Sequence, residues 1–315
     1  MPTLTGLVED QTGGSPMGGA KCVRRSLRKL SGDLGQRGHP ACPNTVRRLL
    51  RQRHYGLRGN VKRLSGRPHP DRERQFQYIH QQRQAFLGAS QPVLSIDAKK
   101  KELVGNFKNA GRTWTRQAES VNTYDFIGDA QCRATPYGLY DVASNRGAVG
   151  LGISADTAAF AVDCLTRWWD QTGQQAYPQA DRLLLLADGG GSNGHRSRLF
   201  KRPLQGWADR TGLAVTVCHY PRGASKWNPV EHRLFSQISL NWAGQPLRTV
   251  DAMLGWIRGT RTATGLQVDA WLMDKTYPTR VKVPNAEMKA LNLTRHETCP
   301  NWNYTLRPRS TASGP

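Results

Sequence analysis

At 315 residues and 37% hydrophobic, the chain holds enough apolar material for one large domain plus a small one. A formal charge of +22 and a pI near 10.4 point to a polyanionic partner, nucleic acid before a membrane surface, because Lys and Arg that neutralise phosphates release condensed counterions. The longest aliphatic run, 183–187, falls far short of the roughly 18 residues that span a bilayer, and six scattered cysteines without a Cys-x-x-Cys pair exclude a zinc ribbon or disulfide scaffold.

Residues 1–20, containing Gly, Pro and Thr, have no basic-then-apolar leader and are read as a disordered N-terminus of a cytoplasmic protein. Between residues 21 and 74 there are 16 Lys/Arg against three acids, so over half of the net charge lies here. Val23, Leu27, Leu30 and Leu34 recur at helical spacing, "GQRGHPACP" breaks the pattern, and Val46, Leu49 and Leu50 begin a second stripe. The expectation over 21–55 is a small all-α helix-turn-helix region. Asn44 would be the N-cap of its second helix, with Arg47, Arg48, Arg51 and Arg53 turned toward DNA; a solvated basic face is the plainer alternative. Residues 56–90 read as a basic Gly/Pro-containing linker that could follow a DNA groove, then a connecting helix with Phe76, Ile79, Phe86 and Leu87.

From residue 91 to the end, strands and helices alternate. "VLSID" (93–97), "YGLYDV" (137–142) and "AVGLGIS" (148–154) read as strands, the last two joined by a turn at 145–147. A helix with Val162, Leu165 and Trp169 on one face follows an N-cap at Asp156; "RLLLLAD" (182–188) reads as a central strand buried on both faces, and "LAVTVCHY" (213–220) as another. That order predicts an α/β domain with a mixed sheet covered by helices.

Asp97 and Asp188 end two of these strands, where open α/β sheets place their sites. Each has an ordinary alternative: Asp97 paired with a nearby Lys, Asp188 capping a helix entered near Ser192. The "GGGSNG" loop after Asp188 lacks the Gly-Lys-Ser/Thr or Gly-x-Gly-x-x-Gly pattern of a phosphate loop. In "SKWNPVEHRLF", Asn228 as N-cap, Pro229 at the first helical position and Glu231 at the third form a capping-box variant worth roughly 1 kcal/mol. The same geometry aims Glu231 rigidly, and capping does not exclude coordination.

"SIDAKKKELVGNF", "LLADGGGSNG" and "SKWNPVEHRLFSQISLNW" together resemble the three acidic motifs of bacterial insertion-sequence transposases of the Asp-Asp-Glu class, ISAzo-type, and the similarity extends through "TYPTRVKV" and "NWNYT". The resemblance implies a ribonuclease H-like catalytic domain over 91–315. It implies Asp97, Asp188 and Glu231 as the catalytic, metal-binding triad for two Mg²⁺ ions, with Mn²⁺ able to substitute. It further implies cleavage at terminal inverted repeats, transfer of the 3′-hydroxyl to target DNA, a homodimer on paired ends, and a nucleoid-associated protein with no membrane role. Asn193 and Asn228 either orient a carboxylate or serve the loop and the cap. Lys99, Lys100, Lys101 and Lys226 either reach phosphates or are solvated. Trp227 either packs or stacks on a base, and neither His195 nor His232 is read as a ligand. Members of the resembled family carry more sequence ahead of the basic helices, which implies a shortened, poorly targeted copy. The rival expectations are a DNA-binding product without chemistry and a structure-selective nuclease on the same fold.

Overall fold

The computed structural model describes Leu4 and residues 25–57, 69–224 and 227–309. The chain forms two compact units, 1–64 and 65–315. Apart from Leu4, the expected disordered stretch 1–20 lies outside the described residues, as do most of the linker's basic residues and Lys226.

In the first unit, α1 (Leu27–Gln36) is capped by the Ser26 hydroxyl, which accepts from the Lys29 amide at 3.2 Å, and α2 is Pro43–Gln52. Leu30 and Leu34 bury against Val46. The second helix begins earlier than expected: Cys42 occupies the cap and Pro43 the first turn, leaving Asn44 inside the helix. A proline needs no amide partner there, so it outcompetes the Asn cap. Arg47, Arg48, Arg51 and Arg53 are all exposed, and the first three line a shallow depression of about 490 Å³ with Asn44 and Gln52.

The second unit is built on a nine-stranded mixed sheet: β1 (Val93–Ala98), β2 (Glu102–Val104), β3 (Cys132–Asp141), β4 (Arg146–Gly152), β5 (Arg182–Ala187), β6 (Ala214–His219), β7 (Gln267–Met273), β8 (Leu293–Arg295) and β9 (Asn303–Leu306). The order is β7-β4-β3-β1-β5-β6-β9-β8, with β2 paired to β3. β3 runs antiparallel to β1 and β4, whereas β1, β5 and β6 are mutually parallel. This is the ribonuclease H-like arrangement, helices covering both faces. The β3–β4 turn occupies 142–145, so Arg146 is already in β4.

One face carries α4 (Ala158–Trp168) and α5 (Arg198–Thr211), whose Phe160, Leu165, Leu204 and Trp207 pack with Leu94, Leu183, Leu185 and Val215. α4 is capped by Thr157, which accepts from the Phe160 amide at 3.3 Å; Asp156 is not the cap. Trp169, expected on that helix, lies in a π-helical turn following it. On the other face α3 (Arg72–Gly88) sets Ile79 and Phe86 against Val93, Leu184 and Leu186. Beside it lies the element that carries Glu231, a π-helical turn, Val230–Phe235, continuing into α6 (Ser236–Asn241), followed by α7 (Val250–Arg258). Val230, Leu234, Phe235 and Ile238 seal this face over Tyr140, Val149 and Leu151.

Two glycines set how closely that turn seats. A Cβ on Gly138 of β3 would stand 2.6 Å from the Phe235 ring and 2.9 Å from Val230, and one on Gly147 of β4 would collide with Leu234. The strands are bare where the helix lies on them. No helix among the described residues is long and apolar enough to cross a membrane.

Candidate active site

Ser95 and Asp97 alternate with Leu94 and Ile96 along β1, so both face the Glu231 turn. Ile96 lies opposite Ala187 in the parallel β1–β5 pair; Asp97 follows on β1 and Asp188 just past the end of β5, near enough for the Asp188 charge to act on Asp97. Glu231 is held over them from β1 itself. The Val230 amide donates to the Ser95 hydroxyl at 3.0 Å, the Ser95 hydroxyl donates to the Asn228 side-chain oxygen, and the Glu231 amide donates to the Asn228 carbonyl at 3.1 Å.

The capping box is therefore not formed. Asn228, fully buried, spends its side chain on Ser95 and, through its amide nitrogen, on an Asp97 oxygen at 3.5 Å. The cap comes from Ser95, 135 positions before the Val230 amide it accepts from. Ser95→Ala would orphan a buried amide and a buried carbonyl, and about 1–3 kcal/mol of stability should be lost in chemical denaturation. Unchanged stability would show that the turn does not depend on this bond.

The acids repel one another. Burial, the Asp188 charge and Glu231, which also shares a hydrogen bond with it, push Asp97 up to about 8, against a bond from its own neighbour's amide, Ala98, at 2.8 Å. Burial also raises Asp188, as do the charges of Glu231 and Asp156, opposed by the Gly190 amide at 3.2 Å. Among the described residues no three His, Cys, Asp or Glu side chains are already drawn in to metal-ligand spacing. The negative charge gathered around Asp97 is of the kind a bound cation would neutralise. The donors are all hard oxygens, which suits Mg²⁺ or Mn²⁺ rather than zinc.

The shift has a sign. Asp97 holds its proton to about pH 8 in the native chain and releases it near 4 when unfolded, so the native state binds more protons between these values and stability falls as pH rises. Below about pH 7 the opposite slope comes from His219 and His195, which burial pushes down, His219 to about 4. In chelator the melting temperature should therefore drop from pH 7 to 8.5, and Asp97→Asn should raise and flatten it. A flat wild-type profile would contradict the mutual repulsion.

The remaining expected residues separate. Asn193, 1% exposed, anchors the glycine loop: its side-chain oxygen accepts from Tyr137 at 2.8 Å, and its carbonyl faces His219 at 2.9 Å. The His195 ring meets the Gly189 carbonyl at 3.1 Å, and His232 is exposed. Lys99 is committed internally, paired with Glu102 with its ammonium 4.9 Å from the Trp242 ring centre, while Lys100 and Lys101 are exposed. Neither ordinary alternative holds as framed: the nearby Lys99 takes Glu102 rather than Asp97, and Asp188 accepts from Gly190 within its own loop.

One feature escaped the sequence, and Trp227 takes the packing role of its two readings. Asp156, taken for a cap, lies within electrostatic reach of Asp188; burial raises it, against the hydrogen bond of Ser192 and the charge of Lys101. An acid just ahead of a helix satisfies the cap rule equally well, which hid it. Trp227, 44% exposed, packs its ring 5.4 Å from Phe76, with the Arg72 guanidinium 5.1 Å from it; Arg72 also donates to the Arg222 carbonyl at 3.0 Å, tying α3 to the segment before Glu231.

Among solved structures, the chain is similar to the Mos1 transposase paired-end complex with left transposon end (16% identity, TM-score 0.41, 81% of this chain and 69% of that chain) and to the Mos1 Strand Transfer Complex (15%, 0.41, 81% and 68%). A search of curated proteins gives no match. The family model described as the Rhodopirellula transposase DDE domain matches residues 3–308, nearly the whole chain. With that match, the chain belongs to the Rhodopirellula transposase DDE domain family.

Proposed function

We propose that this protein is an insertion-sequence transposase that cuts DNA at its element's ends and joins the freed 3′-hydroxyls to target DNA, with two divalent cations, Mg²⁺ or Mn²⁺, held by Asp97, Asp188 and Glu231. The observation that carries the reading is the convergence of these three acids from β1, β5 and the Glu231 turn, inside a chain that matches a transposase family over nearly all its length. Bound cations supply charge stabilisation on the attacking and leaving oxygens of phosphodiester transfer and lower the pKa of the attacking water.

The chain's own residues do the positioning. Two neighbouring strands hold Asp97 and Asp188 without side-chain search, Asn228 fixes one Asp97 oxygen, and Ser95 locks the backbone that aims Glu231. α2 offers Arg47, Arg48 and Arg51 on one exposed face to the terminal repeat, and Lys100 and Lys101 lie two and three residues after β1's end for the phosphates beside the cut. Two copies would act on the two ends together.

The test uses labelled DNA from both flanks of the gene, a supercoiled target plasmid, and the full chain with Mg²⁺ or Mn²⁺. Cuts at two matching ends and 3′ joining to the plasmid are expected, both abolished by chelator. Binding at the ends with no cutting in either metal would overturn the catalytic reading and leave a DNA-binding product.

A further inference from the structure

The segment between β2 and β3, residues 105–131, is long, held at its root and bare at its tip. Its root is bonded to the stretch after α6. Gly105 donates to the Leu247 carbonyl at 2.8 Å, Gly244 to the Ala110 carbonyl at 2.8 Å, and the Asn109 side chain to the Trp242 carbonyl at 3.0 Å. The two backbones interlock: a Cβ on Gly111, at φ +101, would stand 2.7 Å from that of Ala243, and one on Gly244 would meet Arg112 at 3.1 Å. Across the loop Asn106 bonds Asn122, and Arg248 joins Asn106 at 3.2 Å and Glu119 at 2.5 Å.

From this fixed base the outgoing limb presents Trp114 at 103% exposure, between Arg112 and Arg116 and after Lys108. Among the described residues these three cations have no ion pair or side-chain hydrogen bond, and no acid occurs between 106 and 118. A wholly exposed indole on a pre-formed backbone, flanked by free guanidinium groups, has the chemistry of a base-stacking platform with phosphate partners. The return limb differs. Tyr124 and Phe126, rings 5.6 Å apart, and the exposed Ile127 sit among Asp125 and Asp129, so they lack that charge complement.

The loop also hangs from the elements that carry the acids. Trp242, at its root, ends the helix that continues the turn carrying Glu231 and takes the ammonium of Lys99, two residues after Asp97. We infer that the limb 108–116 is a DNA contact in which Trp114 stacks on an unpaired base and Arg112 and Arg116 bind the phosphates beside it. This rests on the reading above that the substrate is DNA.

The test is binding by the full chain in chelator, so that no cutting intervenes, to flank DNA ending either blunt or in a short single-stranded overhang carrying 2-aminopurine. Trp114→Ala should weaken overhang binding about 5- to 150-fold, leave blunt binding within about twofold, and abolish the 2-aminopurine quench, with Trp114→Phe retaining most of both. Arg112→Gln with Arg116→Gln should weaken both DNAs and flatten the salt dependence. Equal overhang binding by wild type and Trp114→Ala would overturn the inference alone, as would a Trp114→Ala chain that binds DNA normally but loses a dimer by light scattering, which would make the surface one for a second copy. A wild-type chain that binds neither DNA would instead sink the DNA reading itself.

Discussion

Asp97→Asn, Asp188→Asn and Glu231→Gln should each lower metal-dependent DNA cleavage by about 10²- to 10³-fold, the range for losing one group that stabilises transition-state charge. End binding and folding should survive. In the folded chain without metal, burial and the charges of Asp188 and Glu231 raise Asp97, and burial and the charges of Glu231 and Asp156 raise Asp188. Removing one relieves repulsion, so the variants should fold at least as well as wild type in chelator, which separates a lost ligand from a lost fold. A variant that cuts at wild-type rate loses its place in the triad. Non-additivity is expected too, because two acids without the third cannot hold the same charge, and a double variant should be little worse than either single one.

The second large effect needs no change at the acids. Gly138→Val would place a branched side chain where even a Cβ stands 2.6 Å from Phe235 and 2.9 Å from Val230. Either the turn lifts from β3 or the core spreads, costing about 1–3 kcal/mol. A lift of about 1 Å is enough to cost roughly 10²-fold in rate, because Glu231 follows Val230 directly. DNA binding through α2 should be unaffected. Full activity in Gly138→Val would mean that the seating of this turn does not govern Glu231's position.

How much was legible beforehand differs element by element. β5 announced itself because a five-residue aliphatic run is too short for a helix and must be buried on both faces. Asp97 and Asp188 followed from strand ends, and the acidic motifs taken together carried the family. What local reading missed was decided by distant residues. Asn228 is a good cap in isolation, yet Ser95, far away in sequence, takes that role and turns Asn228 onto Asp97. Gly138 and Gly147 look like weak points in strands until the turn that lies on them is known. β7 completes one edge only through parallel pairing with β4, over a hundred residues earlier, and β9 is four residues whose partners are β6 and β8. Asp156 illustrates the reverse error: a plausible local role, the cap, concealed a carboxylate within reach of Asp188.

In the proposed reading, Asp97, Asp188 and Glu231 together hold the divalent cations. The most direct measurement is the anomalous difference density of Mn²⁺ in crystals of the full chain, for wild type and for Glu231→Gln. Density is expected between the ends of β1 and β5 within about 2.0–2.6 Å of carboxylate oxygens, weakened or reduced to one ion in the variant. Density that lies elsewhere, or that is unchanged when Glu231 is replaced, would contradict it.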